Sequence, residues 1–177
     1  MLEALQIIIQ VTTIAILVSL ALAGLSIAPW VPTRKKDFER VHKCSDLKKG
    51  ETFIEIGCGD ARVTVYIARK NPEVEIIGIE LSWVMYLISV LQVKLSRVKN
   101  VKIIHTNALK YDLSGADVVY FYALHDTFNL KLKPKLLKEL KKGSRIVSYA
   151  FSLDDWSGKY TKDKPTKKDG VIHTYTV

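Results

Sequence analysis

Two carboxylates and two glycines carry most of the chemistry legible in this chain. Glu55, Gly57 and Gly59 stand together in Phe53-Ile54-Glu55-Ile56-Gly57-Cys58-Gly59-Asp60-Ala61-Arg62, and Glu80 follows Gly59 by 21 positions. Phe53 to Ile56 read as a buried strand, Gly57 and Gly59 as a tight turn. Ala61, Val63, Val65, Tyr66, Ile67 and Ala68 then fall at helical spacing. A strand, a Gly-rich turn and a helix N-terminus let a nucleotide-like ligand lie against bare backbone. Ile76-Ile77-Gly78-Ile79-Glu80-Leu81 is a second apolar strand ending in an acid. An acid about 20 residues beyond the turn is placed to accept hydrogens from both hydroxyls of a ribose. The plainer alternative is a solvated Glu that closes a strand.

The dinucleotide fingerprint Gly-x-Gly-x-x-Gly fails, because Arg62 holds its sixth position. Glu55 followed by Gly57-x-Gly59-Asp60-Ala61 instead resembles motif I of the class I S-adenosylmethionine-dependent methyltransferases. In that family the turn cradles the methionine part of the cofactor, whose ammonium suits nearby carboxylates. The resemblance also implies that an Asp or Asn after the third strand contacts the adenine, together with a neighbouring backbone amide. Asn107, with Ala108 beside it, holds that place; a turn-forming Asn is the alternative.

The elements that must position these residues alternate along the chain. Strands are expected at Thr52–Ile56, Val74–Glu80, Val101–His105, Ala116–Tyr122 and Ser144–Phe151. Helices are expected over 61–70, 82–98 and 131–142, the second apolar on most faces and therefore buried. A pair of strands from the tail, closing with Val171–Val177, finishes a mixed sheet. This is the α/β class, a Rossmann-like sheet with flanking helices. Ligands of such sheets bind beyond the carboxyl ends of the strands, which puts Tyr120-Phe121-Tyr122 beside the reaction. His125-Asp126 follows as an acid/base pair, or Asp126 serves as the N-cap of a helix starting near Thr127. Trp83 either walls the cofactor or is core.

The chain has 177 residues and a formal net charge of +9, which suggests an anionic partner. Cys44 and Cys58 form neither a disulfide framework nor a metal-ligand spacing, and no His spacing predicts a metal. Residues 5–28 carry no charge, and 13 of these 24 are Leu, Ile or Val. As a helix they reach about 36 Å, against a hydrocarbon core of about 30 Å. No Lys or Arg precedes this run, as a signal peptide would require, whereas Arg34, Lys35, Lys36 and Arg40 follow it. The expectation is a single-pass membrane anchor with the folded domain in the cytoplasm, a long helix packed on the domain itself being the alternative. Residues 1–33 then form the anchor and a stiff Pro29-Trp30-Val31-Pro32-Thr33 joint, and residues 34–177 the catalytic domain. Trp30 suits a membrane interface. A basic amphipathic helix from Arg34 to about Leu47 either touches anionic lipid or presents an ordinary solvated face.

Taken together, the hydrophobic N-terminus, Pro-Trp-Val-Pro-Thr (29 to 33), Glu-Ile-Gly-Cys-Gly-Asp-Ala-Arg and Gly-Ile-Glu-Leu-Ser-Trp (78 to 83) resemble one small family. These are the membrane-associated protein lysine methyltransferases of mitochondria that modify the ATP synthase c subunit and the adenine nucleotide translocator, with their prokaryotic relatives. The resemblance covers about residues 10 to 160. It implies that Pro32 and Thr33 lie near the cofactor, that Gly57, Gly59, Asp60 and Arg62 form its turn, and that Glu80 is the ribose acid. Ala61 stands where the family has Gly, and the segment after the fourth strand lacks the family's Pro. The implied acceptor is a lysine of a membrane protein, with a lipid or quinone-like small molecule as the alternative. A pocket of Tyr120, Tyr122 and Trp156 would desolvate the amine, and His125 or Asp126 would take its proton. A tethered cofactor-binding module without activity is the competing class. A nucleic-acid acceptor is disfavoured, because no Asn/Asp-Pro-Pro-aromatic motif follows the fourth strand.

Overall fold

The computed structural model describes residues 2–26 and 31–177. Helix α1 (Leu2–Ser26) is followed by a 3-10 turn over Lys35–Asp37 and helix α2 (Phe38–Ser45). Then come β1 (Thr52–Ile56), α3 (Arg62–Lys70), β2 (Glu75–Glu80), α4 (Trp83–Ser96), β3 (Val101–His105) and β4 (Val118–Phe121). A single helical turn α5 (His125–Thr127) runs through a π turn (Phe128–Leu132) into α6 (Lys133–Glu139), before β5 (Arg145–Tyr149), β6 (Tyr160–Asp163) and β7 (Ile172–Thr176).

The strands form one seven-stranded sheet in the order β3-β2-β1-β4-β5-β7-β6. The first five are parallel, and β7 and β6 add antiparallel on one edge. The expected tail pair therefore does finish a mixed sheet. Strand order reverses between β1 and β4, which opens the crevice where ligands of such sheets bind. Alternation along each strand splits the core in two. Phe53, Val118, Tyr120 and Val147 pack with Phe38, Val41, Val63 and Ile67 on the face covered by α2 and α3. Ile54, Ile56, Val119, Phe121 and Ile146 pack with Phe128, Leu132 and Leu136 on the other.

The region before β1 is clamped to the tail through Asp37, which is 1% exposed. Its carboxylate accepts from Arg34 Nε (2.9 Å), Arg40 (2.8 Å) and Tyr149 Oη (2.7 Å). Arg40 also pairs with Asp163, and Lys36 with Asp169. Of the basic side chains on this stretch, Arg34 and Arg40 meet Asp37, and Arg40 and Lys36 also meet acids of the protein's own tail.

Three other expectations are corrected. Among the described residues no helix is long and apolar enough to cross a membrane, so the span expected over residues 5–28 is not found there. Residues 27–30, and the side chains of Ala15 and residues 19–26, lie outside the described set. Pro29 and Trp30, expected as a stiff joint and an interface aromatic, also lie outside it. Helix α4 is not buried, since only Met85 and Ser89 are enclosed. It packs over the edge strand β3, and uniform apolarity could not reveal that position. Asp126 is not an N-cap: Leu124 holds that position, and the helix expected from 131 begins as a π turn.

Asp37→Ala should destabilise the fold by about 3 kcal/mol, the low end for breaking a buried ion pair, because Arg34 is half in water and Arg40 keeps Asp163. Burial works to raise the Asp37 pKa, but the bonds from Tyr149, Arg40 and Arg34 hold it below the usual carboxylate value. Its contribution is therefore complete at neutral pH and lost as pH falls through that lowered value. Chemical denaturation of both chains at pH 7 and pH 3 checks this: the difference between them should shrink in acid.

Candidate active site

The turn after β1 is built for a ligand that approaches backbone. Gly57 and Gly59 have φ of 70° and 56°, the left-handed region that glycine enters without strain. A Cβ at Gly57 would meet nothing within 4 Å, so the turn faces open space. Gly57 and Cys58 donate their N–H groups to Ile79 O at 2.8 and 3.0 Å, which ties the turn to the end of β2. Gly78 makes that contact possible, because a Cβ there would lie 2.9 Å from Cys58 Sγ. Ala61 caps α3 in the left-handed region at φ 58°, the conformation its family counterpart, a glycine, adopts freely.

Glu80 ends β2 and is 8% exposed. Its Oε2 accepts from Gly59 N (2.9 Å) and its Oε1 from Ser82 N (2.7 Å). A carboxylate has about four acceptor positions. Two are therefore filled by backbone and two remain for the hydroxyls of a ribose. Glu55 lies beneath the turn, where its carboxyl accepts the Thr64 hydroxyl. Burial pushes its pKa up to about 8, with Asp60 and Glu80 adding to the rise. A buried acid held mostly neutral at pH 7 regains its charge when a cation arrives. The ammonium of a bound methionine group is such a cation.

Asp60 and Arg62 pair with each other across the start of α3. Asn107 Oδ1 accepts from Leu109 N (2.9 Å), so the turn-forming reading of this residue is realised. Its amide NH2 makes no hydrogen bond with a described residue and remains available toward adenine. Ala108 is buried beside it. Pro32 lies on the stretch that Thr33 pins down: Thr33 Oγ1 and Tyr120 Oη are 2.5 Å apart in a buried pair. This brings the segment before α2 across the end of β4, at the crevice.

The expected aromatic pocket does not form as written. Tyr120 and Tyr122 lie on one face of the sheet, and Trp156 packs on the other against Tyr175, with ring centroids 5.2 Å apart. Tyr120 is fully buried and stacks on Phe53. Tyr122 is partly exposed and meets Tyr149 edge-on (4.9 Å) and Phe151 (6.3 Å). Tyr149 and Phe151 are the aromatics that sequence reasoning missed. The signal for Tyr149 was its alternation with Val147 on β5, one step beyond the pairing of Phe121 with Ser148; Phe151 lies past the end of β5, after Ala150 at φ 77°. Burial first, then the bond to Asp37, raises the Tyr149 pKa to about 12, so this phenol is a neutral wall. His125 Nδ1 faces the Asn129 amide (3.2 Å) and its Nε2 faces Asp154 (3.2 Å). Both ring nitrogens are engaged, and His125 clips the loop after β4 to the loop after β5. Asp126 is exposed.

The model of the ANTKMT methyltransferase domain matches residues 55–160. A protein-lysine N-methyltransferase of Saccharolobus islandicus is 30% identical over 132 residues, covering 74% of this chain and 81% of that protein. A probable ribosomal RNA small subunit methyltransferase A of Methanosarcina acetivorans is 30% identical over 117 residues, which is 64% of this chain and 41% of that one. Among solved structures, an RNA methyltransferase from Salinibacter ruber in complex with S-adenosyl-L-homocysteine superposes with a TM-score of 0.76 at 25% identity, over 82% of this chain and 93% of the other. The turn, Glu55, Glu80 and the Asn107 loop fit S-adenosylmethionine: an ammonium, a ribose and an adenine would each find a matching group.

Cofactor affinity should rise with pH between about 6 and 8, by up to tenfold per unit, because binding releases the Glu55 proton. Titration calorimetry with S-adenosylhomocysteine in buffers of different ionisation heat reads this release directly. Glu55→Gln should abolish both the proton release and the pH slope.

Proposed function

The chain belongs to the ANTKMT methyltransferase domain family, and we propose that it transfers the methyl of S-adenosylmethionine to a lysine amine of a protein held at a membrane surface. The cofactor supplies a methyl on a positively charged sulfur. The neutral amine attacks that carbon, the N–C bond forms as the C–S bond breaks, and the electron pair stays on sulfur. The methylated amine then gives its extra proton to solvent.

The observation that carries this reading is the aromatic end of β4 and β5. Tyr122, Tyr149 and Phe151 form an apolar wall at the crevice, with Tyr122 open to solvent. Deprotonating a free lysine at pH 7 costs about 4.6 kcal/mol, given a pKa near 10.4. An aromatic wall disfavours the ammonium and lowers that cost. The Saccharolobus relative, whose name specifies protein lysine, supports the acceptor class. The exposed apolar surface of α1, where Ile7, Ile8, Ile9, Val11 and Ile14 are each more than half exposed, supports the membrane location.

An RNA acceptor is the second reading, since two of the similar proteins are named for RNA and the chain carries +9. Tyr120-Phe121-Tyr122-Ala123-Leu124, where amide- or base-nitrogen methyltransferases carry Asn/Asp-Pro-Pro-aromatic, speaks against it.

Transfer of labelled methyl into host membranes and total RNA decides among these, with Glu80→Ala as the cofactor-binding control. Label in a discrete protein band, absent with Glu80→Ala, is the expected result. Label in the RNA or in the organic extract would replace the proposed acceptor with a nucleic acid or a lipid- or quinone-like molecule. With the acceptor found, Tyr122→Ala should cut turnover about 100-fold through lost positioning, while cofactor affinity holds. Steady-state kinetics beside calorimetry reads the two effects separately.

A further inference from the structure

Helix α4 turns its more apolar side outward. Trp83, Leu87, Ile88, Val90, Leu91 and Leu95 are all exposed, from 39% to 70%. At 3.6 residues per turn they fall within an arc of about 160°. The core-facing side, in contrast, carries Met85 and Ser89. Helix α1, itself apolar and exposed, packs against α4, so the two apolar surfaces adjoin.

The charges on this helix and on the chain that follows it share one sign. From Leu81 to Tyr111 there is no acidic residue, and Lys94, Arg97, Lys99, Lys102 and Lys110 are basic. Lys102 pairs with Glu75. Lys94, Arg97 and Lys99 are exposed and make no ion pair with a described residue. They gather at the C-terminal end of the helix, and Trp83, stacked on Tyr86 (5.2 Å), stands at the other.

We propose that the outer face of α4 is a membrane-docking surface, with Trp83, Leu87, Leu91 and Leu95 entering the interfacial layer of an anionic bilayer while Lys94, Arg97 and Lys99 meet its phosphates. Apolar stripe, cations without acids and an aromatic at one end are the chemistry of a helix lying in a bilayer surface. Lys94 distinguishes this occupant from a second copy of the chain. It lies within the apolar arc, where a dry protein interface would strip its ammonium of water. In a bilayer its stem follows the apolar surface and its head reaches the phosphates. The functional consequence is placement. Ser82, the N-cap of α4, is bonded to Glu80, so a docked α4 sets the cofactor turn beside the bilayer surface.

The inference rests on the reading that this chain works at a membrane, and its test separates the two. In the full chain, Trp30→Phe with Trp156→Phe leaves Trp83 as the sole indole. Vesicles of phosphatidylcholine with phosphatidylglycerol, carrying brominated acyl chains, should shift Trp83 emission to the blue and quench it. In the same background Leu87→Asp with Leu91→Asp, both at exposed positions, should remove the quenching while the protein still sediments with vesicles through α1. Vesicles of phosphatidylcholine alone should quench less. Sedimentation with vesicles without quenching of Trp83 would overturn docking by α4 and leave the membrane reading standing. Failure to sediment would overturn both. A blue shift that grows with protein concentration in the absence of lipid would assign the face to a second copy instead. S-adenosylhomocysteine binding by each variant confirms that it is folded.

Discussion

A single buried carboxylate, Glu80, sets the geometry on which the site depends. A charge removed from water needs donors, and Glu80 finds two in backbone, Gly59 N on the turn after β1 and Ser82 N at the start of α4. The turn cannot move without breaking one bond, nor α4 without breaking the other. The same turn is held from below, where Gly57 and Cys58 donate to Ile79 O and the Cys58 thiol lies on Gly78. Two acceptor positions on Glu80 are left over for a ligand. The residue thus builds the place where a cofactor would bind, which is why its removal serves as the control for binding in the proposed reaction.

A second hub works across a much longer stretch of chain. Asp37 joins Arg34, Arg40 and Tyr149, and through Arg40 it reaches Asp163. Residues before the first strand are thereby locked onto strands added last. The strap that leads into this hub passes Thr33, whose hydroxyl meets Tyr120 at the switch point of the sheet. Gly170 is part of the arrangement, since a Cβ there would collide with the Tyr149 phenol. Tyr149 is at once a wall of the crevice and the link between strap and tail.

The division between what sequence could and could not reveal follows the range of the interactions. The turn, Glu55 and Glu80 were legible because strand, glycines and acids lie within 30 residues and act through local geometry. The β1 and β3 boundaries were recovered for the same reason. Tyr149 and Asp37 were not legible, because 112 positions separate them and no periodicity links them. The proposed partnership of Tyr120 with Trp156 failed on parity: Trp156 packs into the core on the side of Phe121, and neighbours along a strand face opposite ways. The error on α4 is of another kind. Its apolarity was read correctly, but burial depends on whether another layer lies outside a helix, and β3 is the last strand on that edge.

The exposed outer face of α4 bears on how a substrate would reach the site. A helix that is apolar all round is ordinarily enclosed by protein; here its outer face meets solvent beside another exposed apolar helix. The chain between α1 and Thr33 is short. From Ser26 to Thr33 is seven residues, which extend to at most about 25 Å. Thr33 is fixed on Tyr120, so the end of α1 stays within that distance of the crevice whatever path the intervening residues take. A surface that holds α1 therefore also holds the crevice close by. Confinement of this sort raises the concentration of acceptors on the same surface without any added contact to them. For the proposed lysine acceptor, selectivity would then come partly from location and only partly from the aromatic wall, whose Tyr122, Tyr149 and Phe151 carry no charge to read the residues around a lysine.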